Sequence, residues 1–106
     1  MMNCYSLFVG CRSGKRTFLP ADDRALRSIT ARYFPNGLTI LTANGVWYDR
    51  EKRKFKKEEA RQVLICTSDR KKIPAWCNEL GRALRQKELL VVALGTAKSF
   101  TVPVEE

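Results

Sequence analysis

The chain has 106 residues, 20 of them lysine or arginine, 11 aspartate or glutamate and none histidine, for a net charge of +9. That length fits one compact domain over residues 1–106, and 44% hydrophobic residues supply a core, which argues against disorder. The missing histidine removes the commonest general base near neutral pH and the mixed zinc sites, and no apolar run reaches the roughly 20 residues that span a bilayer.

The N-terminal MMNCYSLFVGCRSGKR carries its charges after its apolar stretch, the reverse of a secretory signal, so a cytoplasmic protein with no membrane partner is expected. Cys4, Cys11, Cys66 and Cys77 form no C-x-x-C pair. They are expected to be reduced and mostly buried, with no metal or cofactor.

Cys4 to Cys11 alternates as a first strand, with Tyr5, Leu7 and Val9 on one face and Ser6 and Phe8 on the other. A first helix begins near Pro20, which fits a first turn because its missing N–H would be unpaired there. Asp22 and Asp23 follow where the helix dipole favours negative charge. Ala25, Leu26, Ile29 and Tyr33 make one stripe, and Arg24, Arg27 and Arg32 lie away from it. The helix must stop before Pro35, and Gly37 can take the positive φ of a tight reversal.

Leu38 to Ala43 reads as a second strand. Asn44-Gly45 is either a hairpin turn or a bulge kinking one longer strand, with a clearer turn at Asp49 to Lys54 favouring the kink. Arg61 to Thr67 is a third strand, and a second helix is capped at Ser68 or Asp69 with Pro74 in its first turn. Ile73, Trp76, Cys77, Leu80 and Leu84 give the cleanest helical spacing in the chain and read as core. Leu89 to Leu94 is a fourth strand. Residues 94–106 are a tail or an extra edge strand, since Phe100, Val102 and Val104 alternate.

This order is an α+β, ferredoxin-like split β-α-β plan (βαββαβ): a four-stranded antiparallel sheet with two helices on one face. Leu38 to Leu41, Val63 to Cys66 and Leu89 to Leu94 are apolar on both faces. The second sheet face therefore needs a cover, and another copy of the chain is the cheapest, giving a homo-oligomer, dimer or trimer.

Two stretches are candidates for binding. The loop with Arg12, Lys15 and Arg16 lies between a strand and a helix but fits neither a P-loop nor the C-x5-R phosphatase spacing, leaving a plain basic loop or backbone anion binding. Arg50, Lys52, Arg53, Lys54, Lys56 and Lys57 place six cations in eight residues beside Trp47, Tyr48 and Phe55. Cations interleaved with rings suit single-stranded nucleic acid, although Glu51, Glu58 and Glu59 and a solvated hairpin tip supply a purely structural account. Leu7-Phe8-Val9-Gly10 resembles the first-strand motif of RNA-recognition domains, but Arg61 to Thr67 lacks their stacking aromatics. The adjacent pairs Asp22-Asp23 and Glu58-Glu59 do not form a catalytic carboxylate pair.

Tyr33-Phe34-Pro35-Asn36-Gly37-Leu38-Thr39-Ile40, then Gly45-Val46-Trp47, then Glu58 or Glu59 before Val63, resembles a small bacterial family of unknown function. The plan also resembles the PII-like and CutA-like ferredoxin-like proteins. That resemblance implies trimers with a projecting second and third strand, and none of those proteins' ligand motifs occurs here. Three functions are compatible with the sequence. One is a non-enzymatic oligomeric module binding a protein partner or small ligand. The others are a nucleic-acid binder using the basic hairpin 50–57 with Arg12, Lys15 and Arg16, and a cofactor-independent enzyme with an interface cleft. Nucleic acid or an acidic protein is the expected partner beside further copies of the chain.

Overall fold

The computed structural model describes residues 2–12 and 15–96, with Thr96 described through its backbone alone. Its elements run β1 (Asn3–Gly10), α1 (Pro20–Tyr33), β2 (Thr39–Asp49), β3 (Lys54–Thr67), α2 (Lys72–Ala83) and β4 (Leu90–Thr96). The strands form one antiparallel sheet in the order β2-β3-β1-β4. Both helices cover the face that carries Tyr5, Leu7, Val9, Val63 and Ile65. The alternation and stripes of the sequence thus meet in one core with Leu26, Trp76, Leu80 and Leu84.

The helices are locked to each other as well as to the sheet. Trp76 donates its indole N–H to Thr30 Oγ1 at 3.0 Å, and both residues are fully buried. Phe34 meets Trp76 edge-on at 5.0 Å, and Tyr33 donates its hydroxyl to Glu79 at 3.1 Å. α1 ends as expected: Phe34 N–H bonds to Thr30 O, Pro35 stops the helix, and Gly37 turns the chain at φ 147°.

Four expectations need correction. Asn44-Gly45 makes neither a turn nor a bulge. β2 runs through it in unbroken register, Thr39 opposite Leu64 to Asp49 opposite Lys54, because every residue finds a partner on a lengthened β3. β3 consequently starts seven residues before Arg61, at Lys54. α2 is not capped by Ser68 or Asp69: Asp69 accepts the Lys71 N–H in a separate turn, and the helix begins at Lys72. The thiols are not all free either. Cys4 and Cys66 lie directly opposite in register and are joined in a disulfide, a pairing that 62 residues of separation concealed. The alternation at Phe100, Val102 and Val104 lies outside the described residues.

Candidate functional site

β1 pairs with β3 only as far as Gly10 opposite Ala60. Beyond that point β2 and β3 continue alone, as a two-stranded arm of residues 44–59 about 17 Å long. Its tip closes on Asp49. One carboxylate oxygen accepts the N–H groups of Glu51 and Lys52 at 3.0 and 3.2 Å, and the other meets Lys56 Nζ at 3.1 Å. These contacts, the Lys52 N–H foremost and Lys56 next, hold the Asp49 carboxyl below its ordinary value. Arg53 completes the reversal in the left-handed region at φ 51°.

Strand alternation sorts the arm into two faces. Trp47, Asp49, Lys54 and Lys56 share the side that continues the uncovered sheet face, and Lys56 Nζ sits 5.4 Å above the Trp47 ring. Val46, Tyr48, Phe55 and Lys57 share the other, where the rings of Tyr48 and Phe55 meet at 5.2 Å. Cross-strand pairs of this kind hold a hairpin together. They do not hide it: Trp47, Tyr48 and Phe55 remain 45–73% exposed. Lys52 is held below the ordinary lysine value by the charge of Lys56 and, less, of Lys54. Arg50, Lys52, Arg53, Lys54 and Lys57 have no ion-pair partner among the described residues.

The loop after β1 joins the arm only in part. Glu59 N–H donates to Arg16 O at 2.8 Å, which brings Lys15 and Arg16, both exposed, to the arm's root. Arg12 is taken out of that group: Asp22 accepts its guanidinium bidentately at 2.8 and 2.7 Å. Ser13 and Gly14 lie outside the described residues.

Beneath the root lies a second ionic cluster that sequence reasoning assigned only to a helix start. Arg61, almost fully buried, donates to both oxygens of Asp23 at 2.8 and 3.0 Å and to Glu59 at 2.6 Å. Its guanidinium stacks 4.7 Å over Phe18, whose N–H donates to Glu59 at 3.4 Å. The cluster pins the start of α1 to β3 where the arm leaves the sheet. Cys11 is nearby: it donates to Lys15 O at 2.9 Å, and burial, with the Glu58 charge second, pushes its thiol pKa up.

Sequence reasoning also missed the extent of the uncovered face. Thr39, Leu41, Gln62, Leu64, Cys66, Cys4, Ser6, Phe8, Leu90, Val92 and Leu94 alternate onto it with no charged side chain among them. Gln62 donates to Ser6 at 3.0 Å, satisfying the polar pair at its centre. Among the described residues no group of three His, Cys, Asp or Glu side chains is arranged to hold a metal, and no helix is long and apolar enough to cross a membrane.

An antiparallel four-stranded sheet in this order, with two helices on one face, is the ferredoxin-like fold of the PII and CutA proteins. A phage SAM lyase in complex with S-methyl-5′-thioadenosine matches with a TM-score of 0.64 at 17% identity, over 89% of this chain and 81% of that one. The GlnK–ATP complex of B. subtilis matches with 0.60 at 13% identity, over 88% and 84%. The periplasmic divalent cation tolerance protein CutA of Archaeoglobus fulgidus matches with 0.61 at 9% identity, over 94% and 88%. At these identities the likeness is one of fold. The chain belongs to the family described as protein of unknown function DUF3574, whose pattern matches residues 23–95. No curated protein matches it.

Proposed function

We propose that residues 1–106 act as one domain, a non-enzymatic homo-oligomeric module. Its copies pair through the uncovered sheet face, and its arm contacts a protein partner or small ligand. The observation that carries this reading is the face itself. Phe8, Leu90, Val92 and Leu94 on neighbouring strands, with Leu41 across Gln62 on the far edge, leave 37–62% of their surfaces in water with no charge among them. Covering the exposed half of each is worth about 1 kcal/mol, so roughly 5 kcal/mol per copy favours association. The arm stays clear of that contact, because Trp47 lies six residues, about 20 Å, along β2 from Leu41. Sedimentation at micromolar concentration tests the assembly: a dimer or trimer is expected, and a monodisperse monomer sinks it.

Cytoplasmic residence is retained as part of the proposal, with the Cys4–Cys66 bond as the observation that weighs against it, since the cytosol keeps thiols reduced. Alkylation during lysis decides: four labelled cysteines support the cytoplasm, two oppose it. The SAM lyase likeness favours a second reading, an enzyme with an interface cleft. Incubation with S-adenosylmethionine tests it, and no S-methyl-5′-thioadenosine above the uncatalysed rate ends it.

A further inference from the structure

We infer that the arm is a binding site for single-stranded nucleic acid, with the cations of residues 50–57 meeting phosphates and the rings of Trp47, Tyr48 and Phe55 meeting bases. The inference rests on reading the arm as the contact element and departs from that reading in one respect: the contact is a nucleic acid in place of a protein or small ligand.

Three features of the arm converge on that ligand. Its five unpaired cations are strung along a strand and a tip rather than focused in a pocket, so they suit a ligand with repeating charge. Exposed rings stand on both faces and behind the tip, one beside Lys56 and two beside Lys57. Unpaired bases can stack on such surfaces, whereas a duplex keeps its ring faces inside. The crowding of Lys52, Lys54 and Lys56 around the single carboxylate of Asp49 leaves like charges unrelieved by the protein, and a phosphate would relieve them. Lys15 and Arg16 extend the track at the root.

Other occupants fit less well. An acidic protein would use the cations but has no reason to need three exposed rings. An anionic membrane would use both, but the charged turn, residues 49–54, lies beyond the rings. Burying Trp47, Tyr48 and Phe55 in lipid would carry that turn in ahead of them.

Counterion release sets the size of the effect. For single strands the slope of log K against log salt is about −0.7 per phosphate neutralised, so three cations give about −2 and the arm's five unpaired cations give about −3.5. Lys15 and Arg16 carry that to at most about −5. Labelled single strands of about 20 nucleotides are titrated at salt concentrations between about 50 and 200 mM, alongside the same sequence as duplex, polyglutamate and phosphatidylserine vesicles. Expected are micromolar or tighter binding of the single strand, a slope between about −2 and −5, and quenching of tryptophan emission. Trp76 is fully buried, so that quenching reports Trp47 and disappears in Trp47→Phe. The triple variant Lys52→Gln, Lys54→Gln, Lys57→Gln, all at exposed positions, should lower the slope by about 2 with an unchanged melting curve. The inference is overturned if the single strand binds no tighter than about 10 μM at low salt, or if the triple variant keeps the parent slope. It is equally overturned if duplex, polyglutamate or vesicles bind as tightly as the single strand. Tight polyglutamate or vesicle binding lost in the triple variant would reject nucleic acid and keep the arm as a contact element. Sedimentation of the same samples tests the oligomer separately.

Discussion

Replacing Arg61 by leucine leaves the Asp23 and Glu59 carboxylates facing each other without the cation that joins them, and unfastens α1 from β3 at the root of the arm. Breaking a fully buried ion pair costs about 3–5 kcal/mol. The two carboxylates are 31% and 29% exposed, so water restores about a third of their solvation and roughly 2–3 kcal/mol of loss is expected. A domain of this size is stable by about 5–15 kcal/mol, and each kcal/mol moves Tm by about 4–8 °C. The variant should therefore melt about 10–20 °C lower, followed by far-ultraviolet circular dichroism. Arg61→Lys separates charge from geometry. It keeps the cation but loses the planar fork that reaches Asp23 twice and Glu59 once, so about half the loss should remain. A loss below about 0.5 kcal/mol in Arg61→Leu would refute the view that this cluster fastens the root.

Thr30→Val keeps the shape of its site but strands the Trp76 indole N–H in the core, which should cost about 1–3 kcal/mol in urea denaturation. In Trp76→Phe, where no N–H remains, the same change should cost far less; equal losses in both backgrounds would count against the hydrogen bond. Burial raises the Cys11 and Cys77 thiol pKa values above the ordinary one, so neither is appreciably thiolate at neutral pH. Alkylation of the oxidised protein should label two cysteines, slowly at pH 7 and faster as pH rises past 9; fast labelling at pH 7 would contradict that environment.

The fold was legible because its signals are local and periodic. Leu7 and Val9 on β1, Leu26 on α1 and the Ile73 to Leu84 stripe of α2 each state which face is inward, and the structure buries those faces. Pro35 and Gly37 announced the end of α1 and the reversal through fixed backbone chemistry. What failed depended on pairing across the chain. Lys54 to Ala60 is too charged to look like a strand, so its sequence alone points to a start at Arg61, yet β2 supplies it a partner at every step. The Cys4–Cys66 bond and the Arg61 cluster join residues 62 and 38 apart, where no sequence period connects them. Glu58 and Glu59 were indistinguishable in sequence; in the structure Glu59 meets Arg61 while Glu58 turns toward Cys11. Of the candidate site, the six cations and Trp47 and Tyr48 do share one arm. Arg12 was not separable from Lys15 and Arg16 until Asp22 was seen to claim it.

Association through the sheet face is the claim on which the functional reading turns, and the mass of the protein in solution tests it most directly. Sedimentation equilibrium at about 50 μM should return two or three times the 12.1 kDa of one chain. Leu90→Asp, which puts a carboxylate on that face where Leu90 is now exposed, should shift the protein toward monomer by at least about tenfold in association constant while keeping a cooperative melting transition. A parent mass of 12.1 kDa, or a Leu90→Asp variant that stays as associated as the parent, would contradict the account.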